Sequence, residues 1–115
     1  MIVGAAVVEL HVHGSQSLKQ KRGVVRSIVQ RVRNRFNVSV AEIGGQDTWQ
    51  RAELGVVTTG CDRPGVRGVL ERVVAFVEEL HLAEVIGSDV ELLEMCYEGA
   101  EHESDAEPGP DAGDD

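Results

Sequence analysis

The chain has 115 residues, of which 42% are hydrophobic and only 3% aromatic, and its formal net charge is −9. This length predicts one domain with an aliphatic core. No apolar run approaches the roughly 20 residues of a membrane-spanning helix, and the N-terminus lacks the basic start of a signal peptide, so we expect a cytoplasmic protein without membrane contact.

The first predicted strand covers residues 2–12, because its apolar residues alternate. Its core face consists of Ile2, Gly4, Ala6, Val8, Leu10 and Val12. A helix over residues 17–35 follows, with Ser17 and Gln20 in the spacing of a capping box. At about 100° per residue, its buried arc consists of Leu18, Val25, Ile28, Val29, Val32 and Phe36. Lys21 falls close to this arc, so we expect its side chain to snorkel, with the ammonium group in water.

Two strands, at residues 36–43 and 49–59, are predicted to pair as a hairpin. Glu42 breaks the alternation of the first, which indicates a bulge or an early strand end. Asp62 can cap a second helix that carries Pro64 in its first turn. A last strand over residues 84–95 is expected to turn three side chains inward: Ile86, Val90 and Leu92.

The order β-α-β-β-α-β with right-handed crossovers predicts an α+β, ferredoxin-like domain over residues 1–97: a four-stranded antiparallel sheet with two helices on one face. Residues 1–97 carry 11 basic and 12 acidic side chains, whereas residues 98–115 carry eight acidic side chains and no lysine or arginine. The latter segment has too few apolar residues to bury, which predicts a disordered acidic tail. It is either a solubilising end or a screen for basic residues of the domain.

The second face of such a sheet has no cover within the chain. Aliphatic residues of the first and third strands lie on it, which favours closure by a second copy or another partner. The edge around Trp49 can contact a partner, or Trp49 can cover the rim of the core. The predicted partner-binding residues are Val3, Val7, Trp49, Arg51 and Val57.

The segment from Ser17 to Arg35 holds seven of the chain's 11 basic residues and no acidic residue. On a helical wheel four of them fall within roughly 60° of one another: Lys19, Arg22, Arg26 and Arg33. Two interpretations are open, a solvated helix face or a surface for an anionic partner, of which RNA is the foremost. Contacts to phosphates discriminate little between base sequences, so we expect no specificity for a DNA sequence.

Several stretches resemble the YlxP-like family. They are Ser17-Leu18-Lys19, Lys21-Arg22, Arg31, Arg33, Phe36 to Glu42, Asp47, and Trp49 to Ala52 with Leu54-Gly55. The resemblance spans residues 1 to about 95. It implies a small bacterial domain of ferredoxin-like fold and unknown function. The genes of this family tend to lie among those for transcription and translation factors, which implies a role near ribosome assembly. It implies no catalytic residues.

Catalytic and metal chemistry find little support in the residue pattern. The sequence contains no arrangement of serine, histidine and aspartate, or of cysteine and histidine, that indicates nucleophilic catalysis. We therefore expect that the protein is not an enzyme and binds no cofactor. His11 and His13 point the same way from a strand, as metal ligands can, but no third ligand is evident, so we interpret them as a surface pair and predict no metal. Cys61 and Cys96 are interpreted as reduced thiols.

These observations favour a non-catalytic accessory factor that binds RNA or a ribosomal subunit through the basic helix. The alternative is a homo-oligomeric module that uses the open sheet face, a homodimer in its simplest form. It would have no role with nucleic acid.

Overall fold

A computed structural model describes residues 1–97, and its elements confirm the predicted order. They are β1 (Ile2–His11), α1 (Leu18–Arg35), β2 (Ser39–Gly44), β3 (Arg51–Gly60), α2 (Arg63–Leu80) and β4 (Glu84–Glu94). The strands form one antiparallel sheet in the order β2-β3-β1-β4, which confirms the α+β, ferredoxin-like class. The predicted acidic tail lies outside the described residues. No helix within residues 1–97 is long and apolar enough to cross a bilayer.

The core lies between one face of the sheet and the two helices. Alternate residues of β1 and β3 are buried in it, as predicted, against a stripe of valine, isoleucine and leucine on each helix. Gly4 marks the closest approach of α2 to the sheet. A Cβ atom at that position would lie 2.4 Å from Val66 Cγ1 and 2.8 Å from Leu70 Cδ1, so only glycine lets the helix pack at this depth.

One face assignment in the last strand is wrong. Val90 and Leu92 pack against the core, but Val85 does so in place of Ile86, which is exposed. The cause is a register shift in the pairing of β1 with β4: Glu9 pairs with Gly87, whereas Leu10 pairs with Val85. The extra residue at this bulge reverses which side chains point inward beyond it.

Lys21 differs most from the sequence-based expectation. Its side chain does not reach water but is fully buried, with a relative exposure of 0%. The ammonium group donates hydrogen bonds to the carbonyl oxygens of Gly45 and Arg51, the second at 3.1 Å. Glu42 Oε2 lies 3.3 Å from the same nitrogen, in an ion pair whose angles do not make a hydrogen bond. Lys21 therefore joins α1 to both ends of the loop between β2 and β3.

The hairpin is shaped to receive this ammonium group. Gly45 has a φ of +80°, a region that favours glycine, and a Cβ there would lie 2.7 Å from the Arg51 carbonyl oxygen. The register of β2 on β3 shifts between Glu42 and Gly44, which confirms the predicted bulge. Glu42 interrupts the alternation of apolar and polar residues along β2 because its half-buried carboxylate forms an ion pair with the buried Lys21.

Replacing Lys21 by methionine should lower the free energy of unfolding by about 3 kcal/mol, because the Glu42 carboxylate then remains partly buried without a cation. Lys19→Met, on the exposed side of the same helix, is the matched control and should change it by less than about 0.5 kcal/mol. Adding Glu42→Gln to Lys21→Met should recover part of the loss. Urea unfolding followed by circular dichroism measures all three, and a Lys21→Met protein as stable as the unchanged chain would contradict the assigned role.

Candidate nucleic-acid interface

Helix α1 begins with a cap that places its first basic residue in the first turn. Ser17 Oγ accepts a hydrogen bond of 3.1 Å from the Gln20 backbone N–H, as the capping-box pattern predicts. The Gln20 side chain accepts one of 2.7 Å from the backbone N–H of Gln16, one residue earlier than in the usual capping box. The first turn carries no acidic side chain, so nothing beside Lys19 in that turn neutralises it.

The four predicted nucleic-acid-binding residues are all exposed and share one flank of α1: Lys19, Arg22, Arg26 and Arg33. We call them the basic stripe. Arg33 Nη2 donates a hydrogen bond of 3.0 Å to the carbonyl oxygen of Val40 in β2. Because β2 is an edge strand of the sheet, this contact places the Arg33 end of the stripe beside that edge.

The remaining basic residues of α1 have partners within the chain. Arg31 Nε donates to Ser27 Oγ at 3.2 Å. The Arg35 guanidinium lies 5.2 Å from the centre of the Phe76 ring, within the range of a cation–π contact. By contrast, Lys19, Arg22 and Arg26 make no side-chain hydrogen bond or ion pair with any other described residue. Within α1, these three cations are the ones that no residue of the described range 1–97 engages.

The β2–β3 loop is held beside the N-terminal end of α1. Lys21 binds both of its ends, and Gln50 Nε2 donates to the Ser15 carbonyl oxygen at 3.3 Å. Trp49 lies in this loop, before β3 begins, and its side chain is not packed against the core; its relative exposure is 55%. The ring therefore does not cover the rim of the core, and its contact with a partner stays a prediction.

The other predicted partner-binding residues lie on the open face of the sheet, away from the helices. Val3 is half-buried there, Val7 and Val57 are 36% and 45% exposed, and Arg51 is exposed. The register pairs Val7 with Gly55 and with Asp89, and Ala5 with Val57 and with Glu91. Carboxylates therefore border the aliphatic centre of this face. The basic stripe and the open face are separate surfaces.

Sequence reasoning missed Lys21 and Glu42 as a structural pair. Two signals were present, a lysine within the buried arc of a helix and a glutamate that interrupts the alternation of a strand. Connecting them requires the packing of α1 on β2, which neither local pattern contains.

Comparison with known proteins matches residues 3–90 to the family described as “Protein of unknown function (DUF503)”. The “Uncharacterized protein YlxP” of Bacillus subtilis (strain 168) is 43% identical over 77 residues, which cover 67% of this chain and 84% of that protein. A structural-genomics structure of the protein YJCS superposes with a TM-score of 0.51 at 9% identity, covering 77% of this chain and 96% of that one. At this identity the likeness shows the fold alone.

Trp49 is the chain's single tryptophan, so its fluorescence reports on the β2–β3 loop alone. We expect iodide and acrylamide to quench this fluorescence in the folded protein nearly as well as in urea, because the indole ring is exposed. Trp49→Phe, which should leave no quenchable tryptophan emission, provides the baseline. Strong protection of Trp49 in the folded protein would instead place the ring against the core or another chain.

Proposed function

We propose that this chain, which belongs to the DUF503, YlxP-like family, is a non-catalytic, cytoplasmic accessory factor. It binds structured RNA, as part of the ribosome or during ribosome assembly, through the basic stripe of α1. The observation that carries this proposal is the set of three exposed cations, Lys19, Arg22 and Arg26, which have no anionic partner among the described residues. An array of cations on one helix flank suits the phosphate backbone, where contacts give affinity and fix orientation. The gene setting implied by the resemblance supports the ribosomal context.

The distribution of charge supports the helix flank over the sheet as the RNA-binding surface. Exposed carboxylates lie on the open face, among them those of Glu9, Glu53, Asp89 and Glu91, and would repel phosphate. The positions of β1 and β3 on this face carry no phenylalanine, tyrosine or tryptophan to stack on bases. This differs from the sheet-based recognition of single-stranded RNA, which depends on such rings.

Trp49 adds a contact of another kind to the same end of the molecule. Its loop is bound to α1 through Lys21, the residue next to Arg22 in the chain. An exposed indole can stack on an unpaired base, whereas the cations bind phosphates on either side of it. A helix or hairpin of RNA with a bulged or terminal base therefore suits this surface better than a uniform duplex does.

Charge reversal tests the basic stripe. Arg22→Glu with Arg26→Glu should weaken binding to purified ribosomal subunits and to an RNA hairpin by at least about 10-fold. A plot of the logarithm of the affinity against the logarithm of the salt concentration should also become less steep. Its slope should decrease in magnitude by about 2, since two phosphate contacts are lost. Arg67→Glu with Arg72→Glu makes the same change of net charge on the exposed side of α2 and should leave the slope unchanged.

Fluorescence anisotropy across a salt series measures these affinities. Equal weakening in both double variants would show that only the overall charge matters, and unchanged binding in the α1 variant would exclude the stripe. Arg33 is left out of the test because its bond to Val40 also supports the edge strand.

A second candidate function is supported by the open sheet face. Its exposed aliphatic residues come from all four strands and include Val7, Ile43, Val57 and Leu93. Monomeric proteins seldom leave such a patch uncovered. A second copy of this chain is the occupant we propose, with the aliphatic centres in contact and the bordering carboxylates at the rim.

Analytical ultracentrifugation over a range of concentrations tests this candidate. The unchanged chain should sediment as a dimer, and Val7→Asp should shift it to a monomer, because the substitution places a carboxylate at the centre of the contact. Leu82→Asp is the control, since Leu82 has the same relative exposure of 36% but lies in the connection between α2 and β4. A chain that is monomeric at every concentration would exclude the dimer and leave the RNA proposal untouched.

A further inference from the structure

Three side chains with metal-binding atoms converge where β1 ends and β4 begins. His11 Nδ1 lies 3.1 Å from His13 Nε2, which in turn lies 2.7 Å from Glu84 Oε1. All three atoms lie within 4.8 Å of one another. The two imidazole rings meet edge to face, with their centres 4.1 Å apart. Glu84 supplies the third ligand that the sequence pattern did not reveal.

The bulge in β4 is what brings Glu84 to the histidines. With the register that holds between Glu9 and Gly87, Val85 would lie opposite His11. The shift after Glu9 pairs His11 with Glu84 instead, so a carboxylate replaces an aliphatic side chain beside the imidazole. Bulges often redirect a side chain in this way next to a functional site.

The protons available do not satisfy this cluster well. A neutral imidazole carries one ring proton, so the Nε2 atom of His13 either donates to Glu84 or accepts from His11, and it cannot form both bonds well. A cation among the three atoms would accept a lone pair from each of them. In a tetrahedral zinc site, with bonds of about 2.0–2.2 Å, neighbouring ligand atoms lie about 3.3 Å apart. The three ligand atoms are close enough together that small side-chain rotations would bring them to this spacing.

We propose that His11, His13 and Glu84 bind one divalent transition-metal ion, with zinc as the best match. Two imidazole nitrogens and one carboxylate are a ligand set that zinc uses, whereas magnesium and calcium favour oxygen ligands alone. Nickel and copper prefer imidazole too and should compete. The site is open to solvent, because the side chains of His13 and Glu84 are 65% and 58% exposed, so water completes the coordination.

Such an ion would connect two parts of the chain that are far apart in sequence. His11 ends β1, next to the turn that leads into α1, and Glu84 begins β4, an edge strand. Because the unfolded chain does not hold these residues together, the metal binds the folded state and stabilises it. The site shares no residue with the basic stripe or with the open-face contact through Val7 and Val57.

Isothermal titration calorimetry of the full chain with zinc chloride tests the proposal. We expect one zinc ion per chain, and His13→Ala and Glu84→Gln should each weaken its binding by at least about 10-fold. His102→Ala removes a histidine from the acidic C-terminal segment instead and should keep the affinity of the unchanged chain. Glu84→Gln preserves the size of the side chain, so it keeps the test decisive even if His13→Ala proves unstable.

Thermal unfolding gives a second readout. Zinc should raise the melting temperature of the unchanged chain and of His102→Ala by several degrees, and that of Glu84→Gln much less. No zinc binding to the unchanged chain would overturn the proposal. So would equal affinity in all variants, since the ion would then be held elsewhere, for example by the carboxylates of residues 98–115.

Discussion

The buried ammonium group of Lys21 is the constraint on which the arrangement of this domain depends. A charge removed from water costs several kcal/mol unless it is paired and hydrogen-bonded, and Lys21 meets that requirement only with α1 against the β2–β3 hairpin. Two backbone carbonyls and the Glu42 carboxylate surround it, all from the hairpin. A slip of α1 or a different hairpin register would leave the charge unpaired. The interaction therefore selects one packing of helix on sheet.

The same interaction determines what α1 presents to solvent. With the Lys21 side chain buried, the opposite side of the helix faces water, and the basic stripe is exposed, with Arg33 bound to β2. Arg31 and Arg35 are engaged by Ser27 and by an aromatic ring, and Arg33 is bound to the edge strand. The seven basic residues of the segment thus serve several purposes, and Lys19, Arg22 and Arg26 are the three without a partner in the part of the chain that the structure describes. The hairpin that Lys21 anchors also carries the exposed Trp49.

Local patterns were sufficient for most of the fold. Alternation identifies the buried faces of β1 and β3, and Ser17 and Asp62 cap the helices as their positions predict. Contacts between distant residues were beyond those patterns. The helical wheel places Lys21 near the buried arc, but it does not predict the hydrogen-bond partners Gly45 and Arg51, which are 24 and 30 positions away. A bulge in β4 moves Ile86 outward and Glu84 towards His11, and it becomes visible only when β4 is paired with β1.

Photo-cross-linking in living cells tests the central claim most directly, because it records which residue touches RNA. A photoreactive amino acid placed at Arg22 or at Trp49 should form cross-links to ribosomal RNA. The same group placed at Arg67 on α2, or at Val57 on the open face, should form few. Cross-links to RNA from Val57 but not from Arg22, or none from any position, would contradict the account of α1 as an RNA-binding surface.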